Sequence, residues 1–375
     1  MPSNHIIVNV TPLLSQLTGV GQYTFEISVN LKKLIDSEKL SFYPDIFPSL
    51  GKNVPSGKRS CLKHIKNIVS KSVFLRKAAR KTLYTAGKIS NKHFDTYFEP
   101  NFIPSLPYKY NNIVTTVHDF SFHKHPEYHP KERVSYFKNA FWNSIYKSDK
   151  IITVSEYIRQ EAICEFNIDK ETIETIHNGV NHNVFNTENR NITKVFIDKF
   201  PFKSGYILFT GTMEPRKNIR TLVEAYLSLP DAIQKEYPLV LVGATGWNNK
   251  DILKNIKNDR IHFLGYVTQD VLSALYNHAT CFVYIPWYEG FGMPPIEAMA
   301  CGCPCIVSNA ASIPEVCGDA PRYVSPGNVE EIREEIVKII TSTDLRQTMS
   351  RQGLQQSQKY SWERSAEEHA RVLQF

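Results

Sequence analysis

The chain reads as an α/β protein made of two doubly wound, Rossmann-like domains. Short apolar runs of strand length recur at intervals of about twenty residues, each followed by a stretch with helical periodicity. Parallel strands joined through helices make right-handed crossovers, so this alternation builds sheets covered on both faces. The 375 residues suffice for two or three domains, and a polar, irregular stretch at 181–203 falls near the middle. The expected domains are therefore 1–190 and 191–360, with a last helical segment at 361–375.

In the first half, residues 6–10 predict a strand, and Thr18, Gly19, Val20 and Gly21 lead into an expected helix over 22–34. Glycines between a strand and a helix N-terminus let a phosphate or sugar approach main-chain amides, which makes Gly19 and Gly21 binding candidates. The third small residue of the dinucleotide fingerprint is missing, and a plain tight turn fits the same pattern. From 51 to 92 the chain carries twelve Lys and Arg and no Asp or Glu. Leu62, Ile65, Ile68, Val69, Val73 and Leu75 sit partly at helical spacing there, predicting a basic amphipathic segment on an anionic membrane surface. A solvated helix face has the same composition. No nucleic-acid motif accompanies the charges, so nucleic acid is not an expected partner.

Residues 95–101 and 112–117 predict strands, and the second ends in His118 and Asp119. Ligands of parallel α/β sheets bind at that strand edge, so His118 is a candidate catalytic residue. His123, His125 and His129 follow closely, but their spacing matches no zinc site. A helix is expected over 131–146 and a strand over 150–154. Ser155 then reads as the N-cap of another helix.

The second half predicts strands at 206–210, 239–243, 261–264 and 281–285. After the first comes Gly211-Thr212-Met213-Glu214-Pro215-Arg216-Lys217-Asn218, leading into a helix from about 218. Cations at a helix start oppose the macrodipole, and such local conflicts mark functional positions. A diphosphate held by Arg216 and Lys217 would resolve the conflict.

The most informative string is Trp287-Tyr288-Glu289-Gly290-Phe291-Gly292-Met293-Pro294-Pro295, running into a short helix over 296–300 and a strand over 303–307. Glycines at the loop admit a ligand to the main chain, prolines suit the first helical turn, and the helix N-terminus favours an anion. Glu289 precedes that helix and Glu297 lies one turn inside it, each able to accept hydrogen bonds from sugar or ribose hydroxyls. Helices are expected at 329–340, 345–357 and 361–373.

Composition bounds the rest. Hydrophobic content of 42% supports ordinary cores. Seven scattered Cys, an odd number, argue against a disulfide framework. In the run Cys301-x-Cys303-x-Cys305, Cys303 and Cys305 fall in a strand pattern, which reads as core thiols rather than a metal site. The start of the chain enters a strand without a basic segment and a long apolar run, so no signal peptide is expected. No window approaches the roughly twenty apolar residues of a membrane span. The net charge of +7 favours anionic partners.

The 287–308 string closely resembles the signature of retaining glycosyltransferases of family 4. Thr116-Val117-His118-Asp119, Val154-Ser155, Asn178-Gly179-Val180, Arg216-Lys217 and Leu264-Gly265-Tyr266-Val267 are similar to further segments of that family. The resemblance spans nearly the whole chain. It implies the glycosyltransferase B fold, two doubly wound domains facing each other across a central cleft, with the last helix crossing back onto the first domain. By the same resemblance, Glu289 and His118 face the donor sugar, and Gly290, Phe291 and Gly292 hold sugar and phosphate. Arg216 and Lys217 bind the diphosphate, Glu297 the ribose, and Gly265, Tyr266 and Val267 the base. Gly19 and Gly21 shape the acceptor and phosphate loop. Many members carry an Arg where this chain has Thr212, which leaves more of the diphosphate to Arg216 and Lys217.

The strings at 18–24 and 214–218 look most like bacterial polysaccharide and O-antigen mannosyltransferases using GDP-mannose. The implied reaction is retaining transfer of a hexose from a nucleotide diphosphate sugar to a lipid-linked or growing glycan. With the basic stretch, this predicts a cytoplasmic enzyme peripheral to the inner membrane face. No Asp-x-Asp motif marks the donor site, so no cofactor and no metal is expected beyond the donor itself. A sugar-nucleotide epimerase, a phosphorylase, or a non-catalytic membrane-associated glycan binder are the rival readings.

Overall fold

A computed structural model describes residues 5–14, 19–44, 92–104, 108–202, 205–247 and 259–374. Two six-stranded sheets organise them, and every strand pair in both is parallel. The first sheet has strands β1 (Ile6–Asn9), β2 (Leu40–Tyr43), β3 (His93–Glu99), β4 (Lys109–Val117), β5 (Lys150–Thr153) and β6 (Ile173–Thr175), in the order β2-β1-β3-β4-β5-β6. The second has β7 (Ile207–Thr210), β8 (Leu239–Val242), β9 (Ile261–Phe263), β10 (Cys281–Tyr284), β11 (Cys305–Ser308) and β12 (Arg322–Val324), in the order β12-β11-β10-β7-β8-β9. This is the pair of doubly wound domains the alternating pattern predicts.

Strand burial explains the sequence. β7, β8, β10 and β11 are buried at every position, as expected of strands covered by helices on both faces, so they read as continuous apolar runs. Their chain order reverses between β7 and β10, and the crevice at the carboxyl ends of those two strands is where such sheets take ligands. Arg216 and Lys217 follow β7, and Glu289 follows β10.

The helix Trp362–Leu373 packs on the first domain against the helix Gly19–Leu34, and Trp362, Val372 and Leu373 join Ile6, Val8 and Tyr23 in one core. A hydrogen-bond chain pins it. His369 Nδ1 donates to the Ser365 carbonyl at 2.6 Å, so Nε2 accepts from Tyr23 Oη at 2.6 Å, and Tyr23 in turn accepts from Thr116 Oγ1 at 2.8 Å. Gly179 lies against the helix start, where a Cβ would stand 2.2 Å from the Trp362 amide nitrogen.

Two local expectations are corrected. The first long helix begins at Gly19, not at 22, so Gly19 and Gly21 belong to its first turn rather than to a preceding loop. The polar stretch 181–203 is not wholly irregular, because it contains the helix Arg190–Ile197. Ile197 and Phe202 bury into the second domain's core beside Phe185, and that tertiary contact outweighs the polar composition. The basic stretch lies outside the described residues from 51 to 91. Among the described residues, no helix is long and apolar enough to cross a membrane.

Candidate active site

A cleft of about 630 Å³ lies between the domains and is lined by both. Its second-domain wall starts at the end of β7. The turn Pro215–Lys217 closes at Asn218, which adopts the left-handed conformation at φ 57°. The Asn218 side-chain amide donates to the carbonyls of Ile285 (3.1 Å) and Pro326 (2.6 Å), while its oxygen accepts from Thr221 Oγ1 at 2.6 Å. The Trp287 amide donates to the Arg216 carbonyl at 3.0 Å. These bonds lock the loop after β7 to the loop after β10 and aim Arg216 and Lys217 at Glu289.

Lys217 Nζ donates to Glu289 Oε1 and, at 2.8 Å, to Tyr284 Oη, which itself donates to Glu289 Oε1 at 2.9 Å. Arg216 Nη1 lies 3.1 Å from Glu289 Oε2, and Nη2 lies 3.0 Å from Glu214 Oε1. Asp119 of the first domain reaches within 3.9 Å of the same guanidinium. Burial pushes the Glu289 carboxyl up, but Arg216 and Lys217 outweigh it and hold it below the usual carboxylate range. Burial likewise opposes the charge on Arg216, yet Glu289, Glu214 and Asp119 keep its pKa well above the ordinary value. The cation conflict read from the sequence is thus met within the protein by carboxylates. An incoming anion competes with Glu289 for Lys217.

The loop after β10 touches the other domain. A Cβ on Gly290 would stand 1.7 Å from the His118 carbonyl oxygen. Ser155, whose Oγ caps the helix Glu156–Cys164, also donates to the Gly290 carbonyl at 2.6 Å. Glu315 of the second domain accepts from the amides of Glu156 and Tyr157, both at 2.8 Å, at the start of that same helix. Gly292 has φ 90° and directly precedes the helix Met293–Ala300, which carries Pro294 and Pro295 in its first turn. Glu297 accepts from Tyr276 Oη at 3.3 Å. Burial lifts its pKa to about 7, with the Tyr276 hydrogen bond opposing and Glu26 adding to the rise.

His118 Nε2 is 2.8 Å from the Pro100 carbonyl, which only accepts, so Nε2 carries the proton and Nδ1 is left as an acceptor. Burial lowers its pKa despite the Pro100 bond and Asp119, keeping the imidazole neutral. Among the described residues, no group of three His, Cys, Asp or Glu side chains is placed to hold a metal ion.

Family models for Glycosyltransferase Family 4 and for Glycosyl transferases group 1 match residues 19–184 and 192–356. The O-antigen chain mannosyltransferase B of Escherichia coli is 34% identical over 372 residues, covering 96% of each chain. This chain belongs to the family 4 glycosyltransferases. The O-antigen chain mannosyltransferase RfbU of Salmonella typhimurium is 27% identical, over 89% of this chain and 90% of that one. Among solved structures, Anabaena HepE in complex with UDP and glucose superimposes with a TM-score of 0.67 at 16% identity, covering 98% of both chains. WaaG, a glycosyltransferase involved in lipopolysaccharide biosynthesis, gives 0.68 at 13% identity, covering 98% of this chain and 99% of that one. These likenesses establish the glycosyltransferase B fold.

In this glycosyltransferase the cleft gathers Gly19, His118, Arg216, Lys217, Tyr266, Val267, Glu289, Gly290, Phe291, Gly292 and Glu297 from the sequence-derived candidates. Gly21 does not line it and is buried in the first turn of the helix Gly19–Leu34. Gly265 does not line it either, and with φ 69° it serves to turn the chain so that Tyr266 and Val267 do. Sequence reasoning passed over Asp119, Glu214 and Tyr284 as partners of the two cations. Asp119 and Glu214 adjoin the singled-out His118 and Arg216, which was an available signal. Tyr284 sits inside a buried strand and had none.

Proposed function

We propose that this glycosyltransferase moves a hexose, mannose, from GDP-mannose to a hydroxyl of a growing or lipid-linked bacterial glycan, with retention at the anomeric carbon. The observation that carries the reading is the meeting of Arg216, Lys217 and Glu289 in one cleft with Glu297 and the N-terminus of Met293–Ala300. The mannosyl assignment draws support from the two O-antigen chain mannosyltransferases to which the chain is similar over most of its length.

In this reading the donor diphosphate docks against Lys217, Arg216 and the amides at Gly290 to Gly292. Positive charge there stabilises the phosphate as the bond to the sugar lengthens, without a metal or other cofactor. Displaced from Lys217, Glu289 turns to the sugar hydroxyls. Neutral His118 accepts a sugar hydroxyl at Nδ1 near the reacting carbon. Glu297 takes the ribose, and the main chain at Gly265, Tyr266 and Val267 faces the base. Front-side departure keeps the leaving phosphate and the acceptor hydroxyl on one face of the sugar, so the bond from the anomeric carbon to the phosphate breaks as the bond to the acceptor oxygen forms, and the phosphate takes the acceptor's proton. The acceptor arrives from the first-domain side of the cleft, near Gly19.

A second part of the proposal concerns place. The acid-free basic stretch from 51 to 92 suits an anionic membrane surface, worth about 1 kcal/mol per Lys or Arg near the leaflet. A cytoplasmic enzyme held peripherally at the inner face meets a lipid-linked acceptor there. The test of the donor is a thermal-shift panel of UDP, GDP and ADP followed by product analysis with GDP-mannose. The reading expects a shift with GDP. A shift with UDP or ADP alone removes the mannose assignment, and conversion of the sugar nucleotide without an acceptor points instead to an epimerase.

A further inference from the structure

His129 ends the run of four histidines after β4, and the donor reading leaves it without a task. It lines the first-domain side of the cleft and is 7% exposed. Its Nε2 lies 2.9 Å from Ser121 Oγ. Ser121 Oγ also lies 2.6 Å from Asp119 Oδ1. Burial raises the Asp119 carboxyl, but Arg216 and the Ser121 hydrogen bonds outweigh that and keep it ionised. An ionised carboxylate only accepts, so the single Ser121 proton points at Asp119. Ser121 Oγ must then accept from His129, which places the ring proton on Nε2. Nδ1 keeps its lone pair, and it is a buried atom with no hydrogen-bond partner among the described residues.

Buried polar atoms without partners are rare and ask for a reason. Here the atom ends a connected series, Arg216 to Asp119 to Ser121 to His129, that starts at the proposed diphosphate site and ends elsewhere in the cleft. Trp247 of the other domain lies beside His129 in the cleft. The Trp247 ring centre lies 6.0 Å from that of His129, and Trp247 Nε1 donates to the Tyr128 carbonyl at 2.6 Å. The Arg133 guanidinium stands 5.1 Å above the Trp247 ring. His129 and Trp247 line the same cleft, and a pyranose seated between the two rings would meet one oriented hydrogen-bond acceptor and one aromatic wall, which suit its hydroxyl and its C–H face.

We propose that His129 Nδ1 and Trp247 form an acceptor subsite, in which Nδ1 accepts a hydrogen bond from a hydroxyl of the acceptor sugar and the indole packs on its ring. The proposal rests on the glycosyl-transfer reading and names the acceptor side of it. His129 is a binding and positioning residue here, and the proton of the reacting hydroxyl still leaves to the donor phosphate.

The test uses the whole purified chain, GDP-mannose as donor and octyl α-mannoside as acceptor probe. Asn places its amide oxygen near the position of Nδ1, whereas Gln reaches Ser121 in place of Nε2. His129→Gln is expected to raise the KM for octyl α-mannoside about tenfold and to leave the KM for GDP-mannose within about twofold, while His129→Asn recovers most of the acceptor KM. Trp247→Ala is expected to show the same split and carries the test if the histidine variants do not fold. An unchanged acceptor KM in His129→Gln and Trp247→Ala, or a rise in both substrates' KM together, overturns the subsite. A wild-type chain that gives no thermal shift with GDP-mannose fails the donor reading first, and the subsite falls with it. Donor binding with an unaltered acceptor KM in the variants removes the subsite alone.

Discussion

Gly290 and the main-chain oxygen of His118 occupy the same space to within a methyl group, since a Cβ on the glycine would sit 1.7 Å from that oxygen. The contact joins the loop that presents Glu289 to the strand end that presents His118, so the two walls of the cleft meet through main chain. Gly290→Ala therefore forces the loops apart by more than a side-chain adjustment. Displacing a site by about 1 Å costs on the order of a hundredfold in turnover, and a loss of that size is expected here together with a lowered thermal midpoint, since overpacking a buried contact costs about 1–3 kcal/mol. Sugar-transfer rates and a melting curve measured together check it, and wild-type turnover refutes it.

Lys217 and Glu289 are each other's partners in the empty cleft. Lys217→Ala leaves Glu289 with Arg216, whereas Glu289→Ala leaves Arg216 with Glu214 and Asp119 but takes the carboxylate from Lys217 and leaves it the Tyr284 hydroxyl, so Glu289→Ala is expected to be the less stable of the two. Both should fold and both should lose at least about tenfold in turnover, because a charge-assisted contact to the donor is worth more than 1 kcal/mol. Steady-state kinetics with GDP-mannose decide this. Normal turnover in both variants removes the site.

Activity is expected to survive EDTA. Arg216, Lys217 and the N-terminus of Met293–Ala300 carry the leaving charge in the proposed mechanism, so chelation has nothing to take away. Loss of turnover that added divalent cation restores would show that the electrostatic account is incomplete.

Two buried groups make opposite contributions to stability as pH changes. Burial raises Glu297 from 4.5 to about 7, so the folded state binds the proton more tightly and stability is lost as pH rises from about 4.5 to 7. Burial lowers His369 from 6.5 to about 4, so the unfolded state takes the proton first and stability is lost as pH falls from about 6.5 to 4. Each shift corresponds to roughly 3 kcal/mol. Relative to wild type, Glu297→Gln should gain stability with rising pH across its window, and His369→Gln should lose it across the other. Urea titrations at several pH values measure both, and parallel curves for variant and wild type would show that the groups titrate normally.

Replacing Lys63, Lys66, Lys77 and Lys81 with Glu reverses charge within the basic stretch. Binding to vesicles containing phosphatidylglycerol should fall to the level seen with neutral vesicles, as flotation would report. Undiminished binding rules out the membrane role.

Much of this protein was legible in one dimension, for a definite reason. Strands covered on both faces must be apolar throughout, so β7, β8, β10 and β11 announce themselves, and the helices between them impose parallel sheets. Glycines, prolines and acids at a strand-to-helix junction are local chemistry, so Glu289, Gly290, Gly292 and Glu297 stood out before any fold was known. Pairings across distance left no such trace. Glu289 takes its cations from a loop 72 residues earlier, and Asp119 reaches Arg216 from the other domain. The state of Glu297 and His369 follows from burial by remote elements, and the tautomer of His129 follows from a hydrogen-bond series ending on Asp119. Periodicity reports which face of an element is buried. Which charge meets which, and which nitrogen keeps its proton, is settled only when elements far apart in the chain are packed together.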